Sequence, residues 1–171
     1  VLPAGNLREP ASGAKRANII VVTKCPADLS ASDQEEIKRK LRPQAGQEIY
    51  FTSIAYSGEV FSRNRTLELK ALKKEPFTLV TGIAKPQPLV DFLEGQGLSF
   101  THKAFSDHHN FTEEEIKALQ HEELILTTEK DYMRLKNEIS REKIFYLPIK
   151  TRFLNREADF IEQIKNFVET K

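Results

Sequence analysis

A chain of 171 residues is long enough to bury a core, as one domain or as two small ones. With 39% hydrophobic and 30% charged residues it is not a disordered chain, and a net charge of +1 gives no overall case for nucleic acid. The one cysteine, Cys25, excludes an internal disulfide and is expected free and buried in a reducing compartment; no apolar run reaches the roughly 18–20 residues that cross a bilayer.

VLPAGNLREP, residues 1–10, lacks the charged-then-apolar layout of a signal peptide, and the chain does not begin with methionine. A piece of a longer protein is therefore expected. Asn18 to Thr23 (NIIVVT) is a continuous apolar run, read as a strand covered on both faces. Ser32-Asp-Gln-Glu35 predicts a capping box opening a helix that stops before Pro43. Glu48 to Tyr56 reads as a second, partly alternating strand, and the mixed, charged segment from Ser57 to Pro76 as a connector with one short strand.

Phe77 to Gly82 predicts a buried strand that turns through Gly82-Ile-Ala-Lys-Pro86 into a helix ending near Gly95. Leu98 to Phe105 alternates as a strand, and Thr112-Glu-Glu-Glu115 is a second capping box with Ile116 and Leu119 on one face behind it. Glu123 to Thr128 is a strand; Thr128-Glu-Lys-Asp131 caps the helix of Met133 and Leu135. Lys143 to Pro148 is a last strand, and Asn155 is expected to cap a closing helix with Phe160, Ile161, Ile164, Phe167 and Val168 in one stripe. Alternation of this kind predicts an α/β fold with a mostly parallel sheet.

The motifs are sparse. No G-x-x-x-x-G-K-S/T occurs, so the chain has no P-loop of its own; G-x-G-x-x-G, paired Cys/His zinc spacings and a G-x-S-x-G elbow are absent too. Three of the four histidines, His102, His108 and His109, fall within eight residues, the last two beside Asp107 where a strand end meets a helix start. Open α/β sheets gather ligands at that place. Three readings of Asp107-His108-His109 stay open from the residues: a solvated turn, proton handling by an imidazole, and a metal site as in a metal-dependent phosphoesterase. Adjacent side chains pair poorly, so a carboxylate elsewhere is the expected partner of His108. Thr23-Lys24-Cys25-Pro26 follows a strand as N/T-K-x-D does in P-loop GTPases, but Pro26 replaces the base-selecting aspartate. Arg8 beside Glu9 offers an anion donor next to an acceptor. A non-catalytic α/β binding module is a further reading of the whole.

Five stretches occur in a telling order: Leu2-Pro-Ala-Gly-Asn-Leu-Arg-Glu-Pro10, Lys15-Arg-Ala-Asn-Ile-Ile-Val-Val-Thr-Lys24, Thr81-Gly-Ile-Ala-Lys-Pro86, Phe105-Ser-Asp-His-His109 and Thr128-Glu-Lys-Asp131. That series resembles the tetraacyldisaccharide 4′-kinase (lipid A 4′-kinase) family, in its C-terminal portion. The resemblance implies the tail of a P-loop NTPase-like domain plus a smaller α/β domain: 1–56 the truncated kinase domain, 57–76 a connector, 77–150 the smaller domain, and 151–171 a helix packing back on the first. It further implies a two-stranded connection, for which Ile49 to Tyr56 and Ile144 to Phe153 are the candidates. The implied reaction transfers the γ-phosphate of ATP, with Mg²⁺, to the 4′-hydroxyl of a tetraacyldisaccharide 1-phosphate, the lipid A disaccharide precursor, at the cytoplasmic face of the inner membrane. No nucleic acid is implied as partner, and this piece alone is expected to be soluble and inactive. By motif match, His108 orients a catalytic aspartate lying upstream, with Asp107 in support. Arg8 and Glu9 match a pair near the lipid head group, and Thr23 and Lys24 lie near the nucleotide. ATP and Mg²⁺ would be held mainly by the upstream polypeptide.

Overall fold

The computed structural model describes residues 10–169. In chain order a 3-10 helix at Ala11–Arg16 is followed by β1 (Ile19–Val22), α1 (Ala31–Leu41), β2 (Glu48–Tyr56), β3 (Glu59–Phe61), β4 (Thr66–Glu68), β5 (Phe77–Thr81) and α2 (Gln87–Gly95). Then come β6 (Phe100–Ala104), α3 (Glu113–Gln120), β7 (Ile125–Thr128), α4 (Glu129–Leu135), β8 (Ile144–Leu147), β9 (Ile149–Phe153) and α5 (Glu157–Glu169). Two units result, one running to Ala55 and resuming at Thr151, the other Tyr56–Lys150.

In the first unit a three-stranded sheet has the order β1-β2-β9, with β1 parallel to β2 and Ile20 opposite Ile49. β2 is central, which explains why its residues 49–53 are all buried rather than alternating. β1 was expected to be covered on both faces; it lies at the sheet edge, and Val21 is exposed. Cys25, free as expected, is buried with Ile49 and Phe51, and Ile20, Val22, Leu29, Ile37 and Leu154 pack around them. The cap of α1 is Ser30, not Ser32: its hydroxyl accepts from the Asp33 amide at 3.1 Å and donates to the Asp33 carboxylate at 2.6 Å. Arg42 then ends the helix in the left-handed region at φ 51°, directly before Pro43. Asn155, the expected cap of α5, instead donates to Gln34. Phe160 of α5 meets the Tyr50 ring at 5.2 Å and the Phe153 ring at 4.8 Å, while Ile161 and Ile164 of the expected apolar stripe remain exposed.

The second unit holds a six-stranded sheet of order β4-β3-β8-β7-β5-β6. β5 is parallel to β6 and to β7, and β7 to β8, whereas β3 is antiparallel to β4 and β8. Successive strand residues point to opposite faces, and both faces are filled. Leu79, Leu126, Phe145 and Leu147 join α2's Leu89, Val90 and Leu93 on one face; Val80, Ile125 and Ile144 join Leu119, Tyr132 and Leu135 of α3 and α4 on the other. The stretch 57–76, read from sequence as a connector, is part of this core. It carries β3, β4 and a 3-10 turn at Leu69–Lys74, with Val60, Leu69 and Leu72 buried. Ile144 to Phe153 is not one strand. Pro148 separates β8, in the six-stranded sheet, from β9, which neighbours β2 in the three-stranded one.

The parallel strands fix where a site can form. The chain runs from β5 outward to β6, then back past β5 to β7. The connections leaving β5 and β7 therefore diverge, which makes the carboxyl ends of those two neighbours the topological switch point, where open α/β sheets gather ligands.

Candidate functional site

At that switch point β5 ends in Thr81-Gly82, and β7 runs straight into the first turn of α4, Thr128 to Asp131. Asp131 is fully buried. Its Oδ2 accepts from the Gly82 amide at 2.8 Å and from the Thr128 hydroxyl at 2.7 Å, and Arg134 Nη1 lies 3.5 Å from Oδ1. A buried carboxylate is tolerated only when donors meet it in this way. The Thr128 oxygen in turn accepts from the Asp131 amide at 3.2 Å, capping α4 as the sequence predicts. Gly82 is required by space: a Cβ there would lie 2.9 Å from Asp131 Oδ1.

The next turn along the sheet edge follows β6. His109 N–H donates to Ser106 O at 3.1 Å, so Asp107 and His108 are its two central residues. His108 has φ 59°, a left-handed conformation that a β-carbon disfavours. Its side chain is 74% exposed, and Nε2 lies 3.8 Å from Asp107 Oδ2. The neighbouring carboxylate, judged from sequence to pair poorly, thus approaches the ring without closing a hydrogen bond. Asp107 Oδ1 accepts from the His108 amide at 3.0 Å and from Lys130 Nζ at 2.8 Å. The Lys130 ammonium, with the His108 ring and amide adding to it, holds the Asp107 carboxyl below the usual carboxylate range.

The three clustered histidines take three different partners. His102, on β6, shares a 2.8 Å hydrogen bond with the Thr81 hydroxyl, and burial lowers its proton affinity. His109 bonds Glu115 at 2.7 Å, stacks on Phe105 at 4.9 Å and meets Phe111 edge-on. Glu115 also accepts from the Thr112 amide and so completes the capping box of α3; the His109 bond first, then that amide, holds its carboxyl below the usual range. His109 is accordingly built into the fold, and His108 is the imidazole presented to solvent. Asp107, His108 and His109 do not converge, and among the described residues no three or more His, Cys, Asp or Glu side chains are grouped to hold a metal ion.

In the first unit Thr23 and Lys24 follow β1, both exposed. Lys24 also has a left-handed backbone, φ 59°, and forms no ion pair among the described residues; the next amide, of Cys25, donates to Thr52 O at 2.9 Å and ties the bend to β2. Arg8 and Glu9 lie outside the described residues. Sequence reading missed Lys130 as a partner of Asp107 and Asp131 as the buried link to Gly82. The available signal was a T-G after one parallel strand and a T-x-x-D after its neighbour.

Comparison with known proteins bears on the whole chain. The family model for LpxK, tetraacyldisaccharide-1-P 4′-kinase, matches residues 1–169. Tetraacyldisaccharide 4′-kinases of Flavobacterium johnsoniae and Flavobacterium psychrophilum are 40% and 41% identical, over 99% of this chain and 50% of each relative. That of Phocaeicola vulgatus is 34% identical over 98% of the chain and 50% of the relative. The fold is similar to that in the crystal structure of the "apo" form of LpxK from Aquifex aeolicus in complex with ATP. There the TM-score is 0.64 at 22% identity, over 97% of this chain and 47% of that one. The chain spans about half the length of the relatives it matches.

Proposed function

Because the chain belongs to the tetraacyldisaccharide-1-P 4′-kinase family, we propose that it is the C-terminal part of a lipid kinase that moves the γ-phosphate of ATP to the 4′-hydroxyl of a tetraacyldisaccharide 1-phosphate in lipid A biosynthesis. The observation that carries the reading is the family match over residues 1–169 combined with coverage of only half of each relative. A P-loop is missing from the 171 residues, so nucleotide phosphates must be cradled by polypeptide upstream. The first unit, with its parallel β1 and β2, is then the tail of the P-loop domain, and Tyr56–Lys150 the smaller α/β domain.

Phosphoryl transfer asks the protein for positioning, charge neutralisation and a carboxylate to take the hydroxyl proton. In this reading the carboxylate lies upstream, and His108 is its partner. An exposed imidazole can donate a ring N–H to that carboxylate, orienting it while its other lone pair takes the 4′-hydroxyl proton. Asp107 supports His108 by holding its amide. Arg8 suits the phosphate of the lipid head and Glu9 its sugar hydroxyls; Thr23 and Lys24 suit the nucleotide. Mg²⁺ would neutralise phosphate charge, held mainly by upstream polypeptide. A lipid acceptor places the work at a membrane surface, here proposed to be the cytoplasmic face of the inner membrane. No helix among the described residues is long and apolar enough to cross a membrane; the membrane-contacting segment is proposed to lie mostly upstream.

The test is transfer of labelled γ-phosphate to a tetraacyldisaccharide 1-phosphate by the product of the complete open reading frame and by this chain alone. Transfer by the first and none by the second is expected; no transfer by either under detergent conditions that support a relative's activity refutes the reading.

A further inference from the structure

A non-glycine residue holds a disfavoured left-handed backbone through the interactions around it. His108 cannot do this through packing, because its side chain is 74% exposed. Within the turn, its hold consists of the His109 amide on Ser106 O and its own amide on Asp107 Oδ1. From outside, Arg134 Nη1 and Glu115 hold the turn at His109, and Lys130 Nζ, 23 residues along the chain, reaches Asp107 Oδ1, the oxygen that also takes the His108 amide. The Lys130 backbone is itself well fixed. The next residue is Asp131, whose buried carboxylate pins the start of α4 to the Gly82 amide.

We propose that Lys130 is a positioning residue for His108: through the Asp107 carboxylate it fixes the turn in its left-handed form and keeps that carboxylate off the His108 ring. Its effect on turnover rests on the kinase reading; its effect on the turn does not. An exposed ion pair by itself contributes little. This one differs because the same carboxylate oxygen takes both the ammonium and the amide of the left-handed residue, so the cation acts on backbone geometry. The gap from Asp107 Oδ2 to His108 Nε2 is 3.8 Å. With the ammonium gone, the carboxylate is free to close that gap and to capture the ring nitrogen needed by a carboxylate elsewhere.

Among the described residues, the neighbouring charged groups of α3 and α4 are already engaged elsewhere. From α4, Arg134 Nη1 is engaged with His109 O at 3.3 Å and with buried Asp131 at 3.5 Å. From α3, Glu115 is taken up by His109 and the Thr112 amide. The β5 end contributes the uncharged Gly82 amide. The depressed proton affinity of Asp107, led by the Lys130 hydrogen bond, agrees with this arrangement.

The experiment compares Lys130→Met and Lys130→Arg with the parent in the product of the complete open reading frame, by two readouts. The His108 amide proton reports Asp107 ionisation by NMR. In the parent its pH midpoint should lie below the ordinary aspartate value of about 3.9; it should rise towards that value in Lys130→Met and remain low in Lys130→Arg. In turnover, Lys130→Met should lower kcat about tenfold with KM for ATP within about twofold, and Lys130→Arg should restore most of it. An unmoved amide midpoint in Lys130→Met overturns the proposal, because the ammonium then does not act on the Asp107 carboxylate. Unchanged kcat in Lys130→Met, while His108→Ala loses turnover, removes Lys130 from the mechanism and leaves the kinase reading standing. If His108→Ala is silent as well, the kinase role of this turn fails, and the amide midpoint alone decides whether Lys130 fixes it.

Discussion

The sheet of Tyr56–Lys150 is covered on both faces by helices of its own unit, with Leu79 and Val80, adjacent on β5, each fully buried on opposite sides. The sheet of the other unit has a thin core around Cys25, Ile49 and Phe51, and that unit leaves Val21, Leu41, Ile54, Ile161, Ile164, Phe167 and Val168 exposed, against Met133 and Ile149 in the first-mentioned one. Apolar side chains at such spacing on a helix normally face a partner surface. The contrast fits the proposed division: a small domain that closes its own core, and the tail of a larger one whose core is shared with upstream polypeptide. It also accounts for where the candidate site is well built. The Asp131–Gly82 link and the Lys130–Asp107 pair lie in the self-sufficient unit, whereas Thr23 and Lys24 lie on the thin one.

The largest expected effect tests whether the second unit depends on its buried acid. Asp131→Ala strands the Gly82 amide and the Thr128 hydroxyl and should cost about 3 kcal/mol. Amide hydrogen exchange should show it as lost protection across β5, β7 and α4, with β1 and β2 unaffected. Gly82→Ala should cost about 2 kcal/mol by crowding the same carboxylate. Since its added Cβ meets Asp131 Oδ1, the double variant should cost measurably less than the two singles together. Additive costs would mean that the two residues act separately.

A smaller effect separates the units by pH. The Glu115 carboxyl titrates below its ordinary value of 4.5 because it is bonded first to His109 and then to the Thr112 amide. A depressed folded-state value means that this stabilisation is complete above about pH 4.5 and is lost as pH falls through the lower folded value. Amides in the first turn of α3 should lose protection in that window while those of β2 keep theirs. Equal loss in both units would point to global acid unfolding instead. The smallest effect belongs to the exposed stripe of the first unit. Ile164→Ser should change this chain's stability by less than about 0.5 kcal/mol, yet destabilise the product of the complete reading frame by 1 kcal/mol or more if that face is covered there. Thermal melts of the two proteins side by side decide it.

Much of this fold could be read before the structure, for identifiable reasons. β2, β5 and the capping box at Thr112 stood out because each carries a local signal: a β-branched and aromatic run, a buried run ending in glycine, a Thr-x-x-Glu. The stretch 57–76 was misread because β3 and β4 are three residues long, too short for periodicity to register, and their apolar contribution is single residues such as Val60. The exposure of β1 depends on being at a sheet edge, which no local pattern reports. Ser32 reads as the cap because Glu35 completes a box with it, while the fold caps α1 with Ser30 on the Asp33 amide. At the site, the choice of the Asp-His-His turn came from its motif and its place after a strand. The different partners of His102, His108 and His109 were not visible, nor was the role of Asp131, whose partner Gly82 is 49 residues away.

The decisive measurement is the single-turnover rate of phosphoryl transfer to a tetraacyldisaccharide 1-phosphate at saturating ATP. It compares the product of the complete reading frame with its His108→Ala variant. If the exposed imidazole orients the proton-accepting carboxylate, the rate should fall about a hundredfold or more, within the range of acid–base assistance, while ATP affinity stays within about twofold. A variant that turns over at the parent rate would contradict the role assigned to His108.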